Sequence, residues 1–150
     1  ASSQPAWVTA RVAPTSAPST RARSHTSFTL SADPDEAAAT FRLAEQAWAD
    51  AGRAERPRRV TGSFAVLGPG AQEELHAFAR RYLDVFGTDV AAWLTERMPL
   101  STPEALHAFL VGLAAEGCDE VVLVPGSSDP DQVRRFADVV TAARADLATT

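Results

Sequence analysis

The chain has 150 residues, a length typical of a single domain, and its 45% hydrophobic content argues against a disordered protein. Its net charge of −5 argues against a general nucleic-acid binder, and no apolar run approaches the roughly 20 residues that cross a bilayer. A single Cys leaves no intramolecular disulfide and no Cys-based zinc site. We therefore expect a soluble, cytoplasmic protein without a nucleic-acid or membrane partner.

Composition divides the chain at Asp33. Residues 1–32 contain three Arg, twelve Ser or Thr and no acid, whereas the remainder combines eleven Arg with nineteen acids for a net charge of −8. Lys, Ile and Asn are absent and Ala occupies 30 positions, as expected of a GC-rich gene. Residues 1–32 are thus predicted to be an irregular or disordered leader. Three interpretations of it stay open: a transit peptide, a flexible Ser/Thr/Pro tail, and out-of-frame translation of GC-rich DNA.

From this boundary the apolar spacing alternates between helix and strand. Asp33 before Pro34 is a favourable N-cap and first helical residue, and the apolar positions that follow predict an amphipathic helix up to Gly52. Alternation over residues 60–67 predicts a strand, and residues 26–30 have the pattern of a short additional strand. Helices are predicted over 71–86 and 88–97. The expected buried stripe of the first helix is Leu75, Phe78, Ala79, Tyr82 and Phe86. The second, shorter helix carries Val90, Trp93 and Leu94.

The last third repeats the alternation. A helix begins at either a Ser101 capping box or a Thr102 cap and ends near Gly117. Residues 120–124 are apolar on both faces, as in a parallel strand covered by helices, and a loop over 125–128 leads into a final helix capped by Asp129. Strands separated by helical crossovers predict an α/β fold with a parallel sheet of two or three strands. This number of strands does not close a barrel.

Polar residues with catalytic or ligand-binding chemistry are few. The three His have no metal-binding spacing, and we expect Cys118 to be a small buried filler. The Arg53, Arg56, Arg58 and Arg59 cluster is interpreted as a charged linker, with a phosphate contact as the alternative. We therefore predict no metal site, and the catalytic residues are left unassigned.

The strand ends are better candidates. Ligands of parallel α/β folds bind at the carboxyl ends of strands, where helix N-termini hold anions. In this chain those places are residues 68–70 and 125–128. The segment Gly126, Ser127 and Ser128 combines close backbone approach with two hydroxyls ahead of a helix, which suits a phosphate or ribityl group. A plain turn with a helix cap is the structural alternative.

Three stretches together resemble the C-terminal part of the luciferase-like monooxygenase family. They are DPDEAAATFRLAEQAWADAGR from residue 33, VTGSFAVLG from residue 60, and STPEALHAFLVGLAAEGCDEVVLVPGSSDPDQVRRFADVV from residue 101. The resemblance implies the last βα units of a (β/α)8 TIM-barrel-like fold, present here as an incomplete barrel. It also implies FMN or a deazaflavin as the coenzyme and a small-molecule substrate for the complete enzyme.

By this resemblance, cofactor contacts are expected at Gly68, Pro69, Pro125, Gly126 and Ser127. Thr61 and Ser63 are expected to line the interior of a complete barrel. The family's Gly-rich phosphate turn precedes the first of these helices, but residues 1–31 contain no Gly. The resemblance therefore predicts a flavin- or deazaflavin-dependent oxidoreductase or monooxygenase portion that is inactive as an isolated chain.

Two other functions stay open on the same residues. One is a small non-catalytic α/β module that forms homo-oligomers through exposed strand edges. The other is a regulatory subunit that completes the barrel of another chain.

Overall fold

The computed structural model describes residues 8–10 and 26–149. Strands and helices alternate through most of this part, which confirms the predicted α/β class. The strands are β1 Val8–Ala10, β2 Thr26–Leu30, β3 Arg58–Ala65 and β4 Glu120–Pro125. The helices are α1 Pro34–Asp50, α2 Ala71–Leu83, α3 Thr88–Thr95, α4 Pro103–Ala115 and α5 Asp131–Ala148, with a 3₁₀ turn at Asp84–Phe86 between α2 and α3.

The four strands form one sheet in the order β1-β4-β3-β2. β2, β3 and β4 are parallel neighbours, with Phe28 opposite Val60 and Val60 opposite Glu120. This confirms the prediction of two or three parallel strands, including the short strand over residues 26–30. β1 pairs with the outer edge of β4 in the antiparallel sense. The boundary at Asp33 stays a prediction, and β1 and β2 both lie on its N-terminal side.

Three helices, α1, α4 and α5, cover one face of the sheet. From the strands this face presents Ala65, Val121 and Leu123, which belong to one buried cluster with side chains of the three helices. Fully burying a large apolar side chain contributes roughly 1.5–3 kcal/mol, so this cluster is a main source of stability. The largest helical members of the cluster are Phe41, Leu106, Phe109, Leu110, Leu113 and Phe136.

Strand alternation places Thr61 and Ser63 on this helix-covered face, because they have the same parity as Ala65 along β3. Both side chains are buried. The expectation that they face a barrel interior is therefore wrong for this structure. Their small size, which suggested a lumen, instead allows the helices to approach the sheet.

The opposite face of the sheet is only partly covered. Phe64, Val66 and Val124 pack against Leu75 and other residues of α2. The Phe64 ring makes edge contacts with Phe78 and Tyr82. At the β2 edge, by contrast, Phe28 and Leu30 are 59% and 51% exposed.

The predicted buried stripe of α2 is correct only in part. Leu75 and Ala79 are fully buried, and Phe78 is partly buried. Tyr82 and Phe86 are exposed, because the described residues bury the α2–α3 contact through the small side chains Ala79 and Ala91 together with Leu83. On α3, Leu94 is partly buried, whereas Val90 and Trp93 are exposed.

Helix starts follow the expected capping chemistry. The Asp33 carboxylate accepts a hydrogen bond from the Asp35 N–H at the start of α1. At α4 the structure selects Thr102 over the Ser101 box, since Thr102 Oγ1 accepts from the Ala105 N–H at 3.1 Å. Within the described ranges, no helix combines the length and apolar character needed to cross a membrane.

Candidate functional site

The two predicted strand-end segments meet at one edge of the sheet. Gly68 and Pro69 follow β3, while Pro125 ends β4 and leads into Gly126 and Ser127. The Gly126 N–H donates to the Ala65 carbonyl at 3.0 Å, so the segment after β4 begins beside the last residue of β3. The two segments therefore follow neighbouring strand ends at the same edge of the sheet. Their role in coenzyme binding stays a prediction.

Side chains of α5 already bind the polar backbone groups at this edge. Leu67 donates its N–H to Gln132 Oε1 and accepts from Gln132 Nε2, both at 2.8 Å. Arg135 Nη1 donates to the same Leu67 carbonyl at 2.9 Å. Gln132 is 1% exposed, so this amide pairing is shielded from water. The end of β3 is thus held by the chain itself.

The N-terminus of α5 holds a carboxylate of its own chain. Asp129 Oδ1 accepts from the Asp131 N–H at 3.0 Å, and Asp129 Oδ2 accepts from Arg135 Nη1 at 2.9 Å. The hydrogen bond from the Asp131 amide, with the Arg135 guanidinium, holds the pKa of Asp129 below its ordinary value. Ser127 Oγ accepts from the Asp129 N–H. A phosphate at this helix end would therefore meet a negative charge.

The two glycines of the predicted site also have structural roles. Gly68 has φ +117°, and a Cβ there would lie 3.1 Å from Arg135 Nη1. A Cβ on Gly126 would lie 2.9 Å from Val66 Cγ2 and 3.3 Å from Leu75 Cδ1. The close approach at Gly126 is therefore used to seat α2 on the sheet. These geometries favour the alternative of a plain turn with a helix cap.

A cavity of about 330 Å³ lies at the carboxyl end of β2, away from the predicted residues. It is bounded by the end of β2, the start of α1, the carboxyl-terminal part of β3 and the segment around α3. Its apolar walls are Leu30, Ala32, Phe64, Leu83, Trp93, Leu94 and Met98, and its polar lining is Ser31, Glu36, Ser63 and Arg97. Of the residues that the sequence assigned to a site, Ser63 alone lines this cavity.

Two charged side chains line the cavity. The Arg97 guanidinium carbon lies 4.0 Å from the centre of the Trp93 ring. Glu36 Oε2 accepts a hydrogen bond from Ser31 Oγ at 3.2 Å. Within residues 26–149 neither Arg97 nor Glu36 lies within 4.0 Å of an opposite charge. The cavity thus combines an apolar body with one cation and one anion.

One sequence signal pointed to part of this cavity. The rule that ligands bind at the carboxyl ends of parallel strands applies to Leu30 of β2 as well as to the longer strands. From the two clear strands, β3 and β4, this rule indicated only residues 68–70 and 125–128. The wall formed by Trp93 and Arg97 had no such signal, because it depends on how α3 folds back toward β2.

The Arg cluster of the predicted linker forms ion pairs at the opposite edge of the sheet. Arg56 donates to both carboxylate oxygens of Asp119 at 2.8 and 2.9 Å, and Arg58 pairs with Glu120. Arg59 binds Glu45 through two hydrogen bonds. These contacts tie β3 to β4 and α1. They account for three of the four Arg without a phosphate.

The fourth member of the cluster, Arg53, stacks over Trp48, with its guanidinium carbon 4.4 Å from the ring centre.

The Arg side chains lower the pKa values of their carboxylate partners. Burial raises the pKa of Asp119, but the hydrogen bonds from Arg56 and from the Arg59 N–H outweigh this effect, so the pKa lies below its ordinary value. The side-chain hydrogen bonds of Arg59 likewise lower the pKa of Glu45. The ion pairs Arg56–Asp119, Arg58–Glu120 and Arg59–Glu45 at this edge, here called the electrostatic clamp, therefore require ionised carboxylates.

The remaining reactive side chains form no catalytic arrangement in the described ranges. Cys118 is fully buried, as expected, and burial raises the pKa of its thiol. His107 Nε2 lies 3.0 Å from Asp146 Oδ2, and His76 bonds to Gln72. His25 lies outside the described residues. In the part of the chain that the structure describes, no group of three or more His, Cys, Asp or Glu side chains is placed to hold a metal.

Comparisons with protein-family models, with curated proteins and with solved structures give no match for this chain. The resemblance to the luciferase-like family therefore stays a prediction carried by the residues between Asp33 and Leu147.

Proposed function

We propose that this chain is the C-terminal portion of a luciferase-like flavin- or deazaflavin-dependent oxidoreductase and that it has no catalytic activity in isolation. The observation that carries the proposal is the winding of β2, β3 and β4. The three strands are parallel and adjacent in chain order, and α1, α4 and α5 lie on the same face. Barrels of the (β/α)8 type are wound in this way, with crossover helices on the outer face of the strands.

The exposed part of the opposite face, on the β2 side of the described sheet, is a second support. In a complete barrel the face opposite the helices points inward and is filled by apolar side chains. Here that face carries Phe28 and Leu30, both more than half exposed. Large exposed apolar side chains on one face are expected where the remaining strands of a barrel are missing.

Three features depart from a complete barrel. The helix α2 packs against Phe64, Val66 and Val124, on the face that would point inward in a barrel. Barrel strands are all parallel, but β1 lies antiparallel on the outer edge of β4. The five residues expected to contact the coenzyme also do not fit its phosphate, because Gln132, Arg135 and Asp129 bind the polar groups at that edge. The coenzyme supplies the hydride chemistry in this family, so we assign no reaction step to the residues of this chain.

Coenzyme titration tests whether the isolated chain is inactive. We expect neither FMN nor a deazaflavin to show saturable quenching of coenzyme fluorescence when the purified chain is added. Micromolar binding to a monomer would contradict the view that the coenzyme site is incomplete. Free coenzyme with bovine albumin at equal concentration controls for nonspecific quenching.

The coding DNA upstream of this chain tests the family assignment separately. We expect translation in the three forward frames to show a Gly-rich phosphate turn and further barrel strands. A start codon and ribosome site directly ahead of this frame, with no such strands upstream, would overturn the assignment. The two experiments are independent, since one concerns binding and the other concerns ancestry.

The free outer edge of β2 favours a second candidate function, a non-catalytic module that self-associates. β2 pairs only with β3 within the described sheet, and its exposed Phe28 and Leu30 lie beside that edge. Such an edge is a template for pairing with another chain. Light scattering and a thermal melt separate the candidates. A defined dimer with a cooperative melt supports the module, whereas a loose, dye-binding state supports an incomplete barrel.

A further inference from the structure

We propose that the cavity at the carboxyl end of β2 binds a small apolar monocarboxylate and that Arg97 holds the carboxylate. The inference does not rest on the proposed function, because it concerns the chain as it exists, without a coenzyme. It also concerns other residues than the strand-end loops of β3 and β4.

The size and lining of the cavity set the body of the ligand. Small-molecule sites measure about 300–1,000 Å³ and have mainly apolar walls with a few placed polar groups. At about 330 Å³ this cavity is near the lower limit, which suits a single aromatic ring or a short branched chain. Leu83, Trp93, Leu94 and Met98 supply apolar surface for it.

Arg97 sets the charge of the ligand. Its guanidinium stacks on Trp93, and a stacked guanidinium keeps its in-plane N–H donors for a planar, bidentate partner. No carboxylate between residues 26 and 149 lies within 4.0 Å of Arg97. A carboxylate is the group whose two oxygens match this fork of donors.

Glu36 limits the ligand to one negative charge. It is the other charged residue of the lining, and Ser31 Oγ already donates to it. A second carboxylate on the ligand would share the cavity with Glu36 and be repelled, whereas an uncharged ring or chain would not. The pair of charges therefore predicts selection of monocarboxylates over dicarboxylates of similar shape.

Two-dimensional NMR of the isotope-labelled full chain tests the proposal with three probes: phenylacetate, phenylacetamide and phenylmalonate. We expect phenylacetate to shift amide signals around the cavity saturably, with at least tenfold weaker binding of the uncharged amide and of the dicarboxylate. Equal binding of phenylacetate and phenylacetamide, or no saturable shift at millimolar phenylacetate, would overturn the proposal. This comparison uses the natural sequence and does not depend on any variant folding.

Arg97→Gln tests the assigned residue. We expect about tenfold weaker binding of phenylacetate and unchanged binding of phenylacetamide, because only the carboxylate loses a charge-assisted contact. Arg81→Gln is the matched control, since Arg81 is exposed on α2 and does not line the cavity. Equal weakening in the two variants would show a general charge effect and contradict the role of Arg97.

Discussion

Gln132 holds the carboxyl end of β3 through a buried amide pair with the backbone of Leu67. We expect Gln132→Ala to lower the free energy of unfolding by about 2 kcal/mol, because the Leu67 N–H loses its partner in a place that water does not reach. The Leu67 carbonyl keeps its hydrogen bond from Arg135, which limits the loss. Urea denaturation followed by circular dichroism measures the change.

Gln46→Ala is the control for this prediction. Gln46 is exposed on α1 and bonds to Asp50, so its replacement should change stability by no more than about 0.5 kcal/mol. If Gln132→Ala is as stable as Gln46→Ala, the buried amide pair does not hold the strand end as described.

The ionisation of Asp119 makes the stability of the chain depend on pH in the acidic range. Its pKa in the folded chain lies below the value of about 3.9 expected when unfolded. The contribution of the ionised carboxylate is therefore complete above about pH 4 and is lost as the pH falls through the folded pKa. We expect Asp119→Asn to destabilise the chain by about 1–2 kcal/mol at neutral pH, with a difference that shrinks under acid.

Chemical denaturation of the parent and of Asp119→Asn across pH 3 to 7 measures this difference. Glu73→Gln is the control, because Glu73 is an exposed carboxylate on α2 without an ion pair in the described residues. If the difference in unfolding free energy between the parent and Asp119→Asn stays constant down to the lowest pH, the electrostatic clamp is contradicted.

At the scale of elements, the cap of α4 separates two interpretations that the sequence left open. Thr102 Oγ1 accepts from the Ala105 N–H, whereas Ser101 Oγ donates to Gln72. We expect Thr102→Ala to cost about 1 kcal/mol of unfolding free energy, the usual effect of removing an N-cap. Ser101→Ala should change it by less than about 0.5 kcal/mol in the same urea titration. The reverse order would identify Ser101 as the cap.

The apolar periodicity of α2 and α3 shows what residue spacing in a sequence can and cannot predict about burial. It correctly indicated helices, and Leu75 of the predicted α2 stripe is fully buried against the sheet. It did not indicate that Tyr82 and Trp93 stay exposed. Helical spacing shows which residues share a face, but burial of that face requires another element against it. Tyr82 contacts Phe64 and Trp93 stacks with Arg97, but among the described residues these contacts leave more than half of each side chain exposed.

At the scale of the whole molecule, the incomplete cover of the sheet predicts association between chains. We expect Phe28→Lys to weaken this association by about tenfold or more, because it replaces an exposed aromatic beside a free strand edge with a charge. The side chain is 59% exposed, so the fold should tolerate the change. Sedimentation velocity over a concentration series measures the shift.

Val85→Lys is the matched control, since Val85 is 81% exposed on the 3₁₀ turn between α2 and α3. It introduces the same charge far along the chain from β2. A parent chain that stays monomeric, or equal effects of the two variants, would rule out the β2 edge as the contact surface.

The sequence by itself determined the local elements and the parallel order of the sheet. Asp33 and Pro34 start α1 through chemistry confined to a few residues, and apolar spacing depends only on backbone geometry. The alternation of helix and strand then required parallel pairing. The strand ends were also placed correctly at one edge, as the bond from Gly126 to Ala65 illustrates.

Only the tertiary structure decided which side chains bind the polar backbone groups at those strand ends and where a cavity is left. Gln132 lies 65 residues along the chain from Leu67, and no local pattern pairs them. The cavity likewise requires Arg97 and Glu36, from distant elements, to face the same space. Such contacts depend on how helices cross a sheet, which is set by packing of the whole core. Residue spacing within one element has no information about that arrangement.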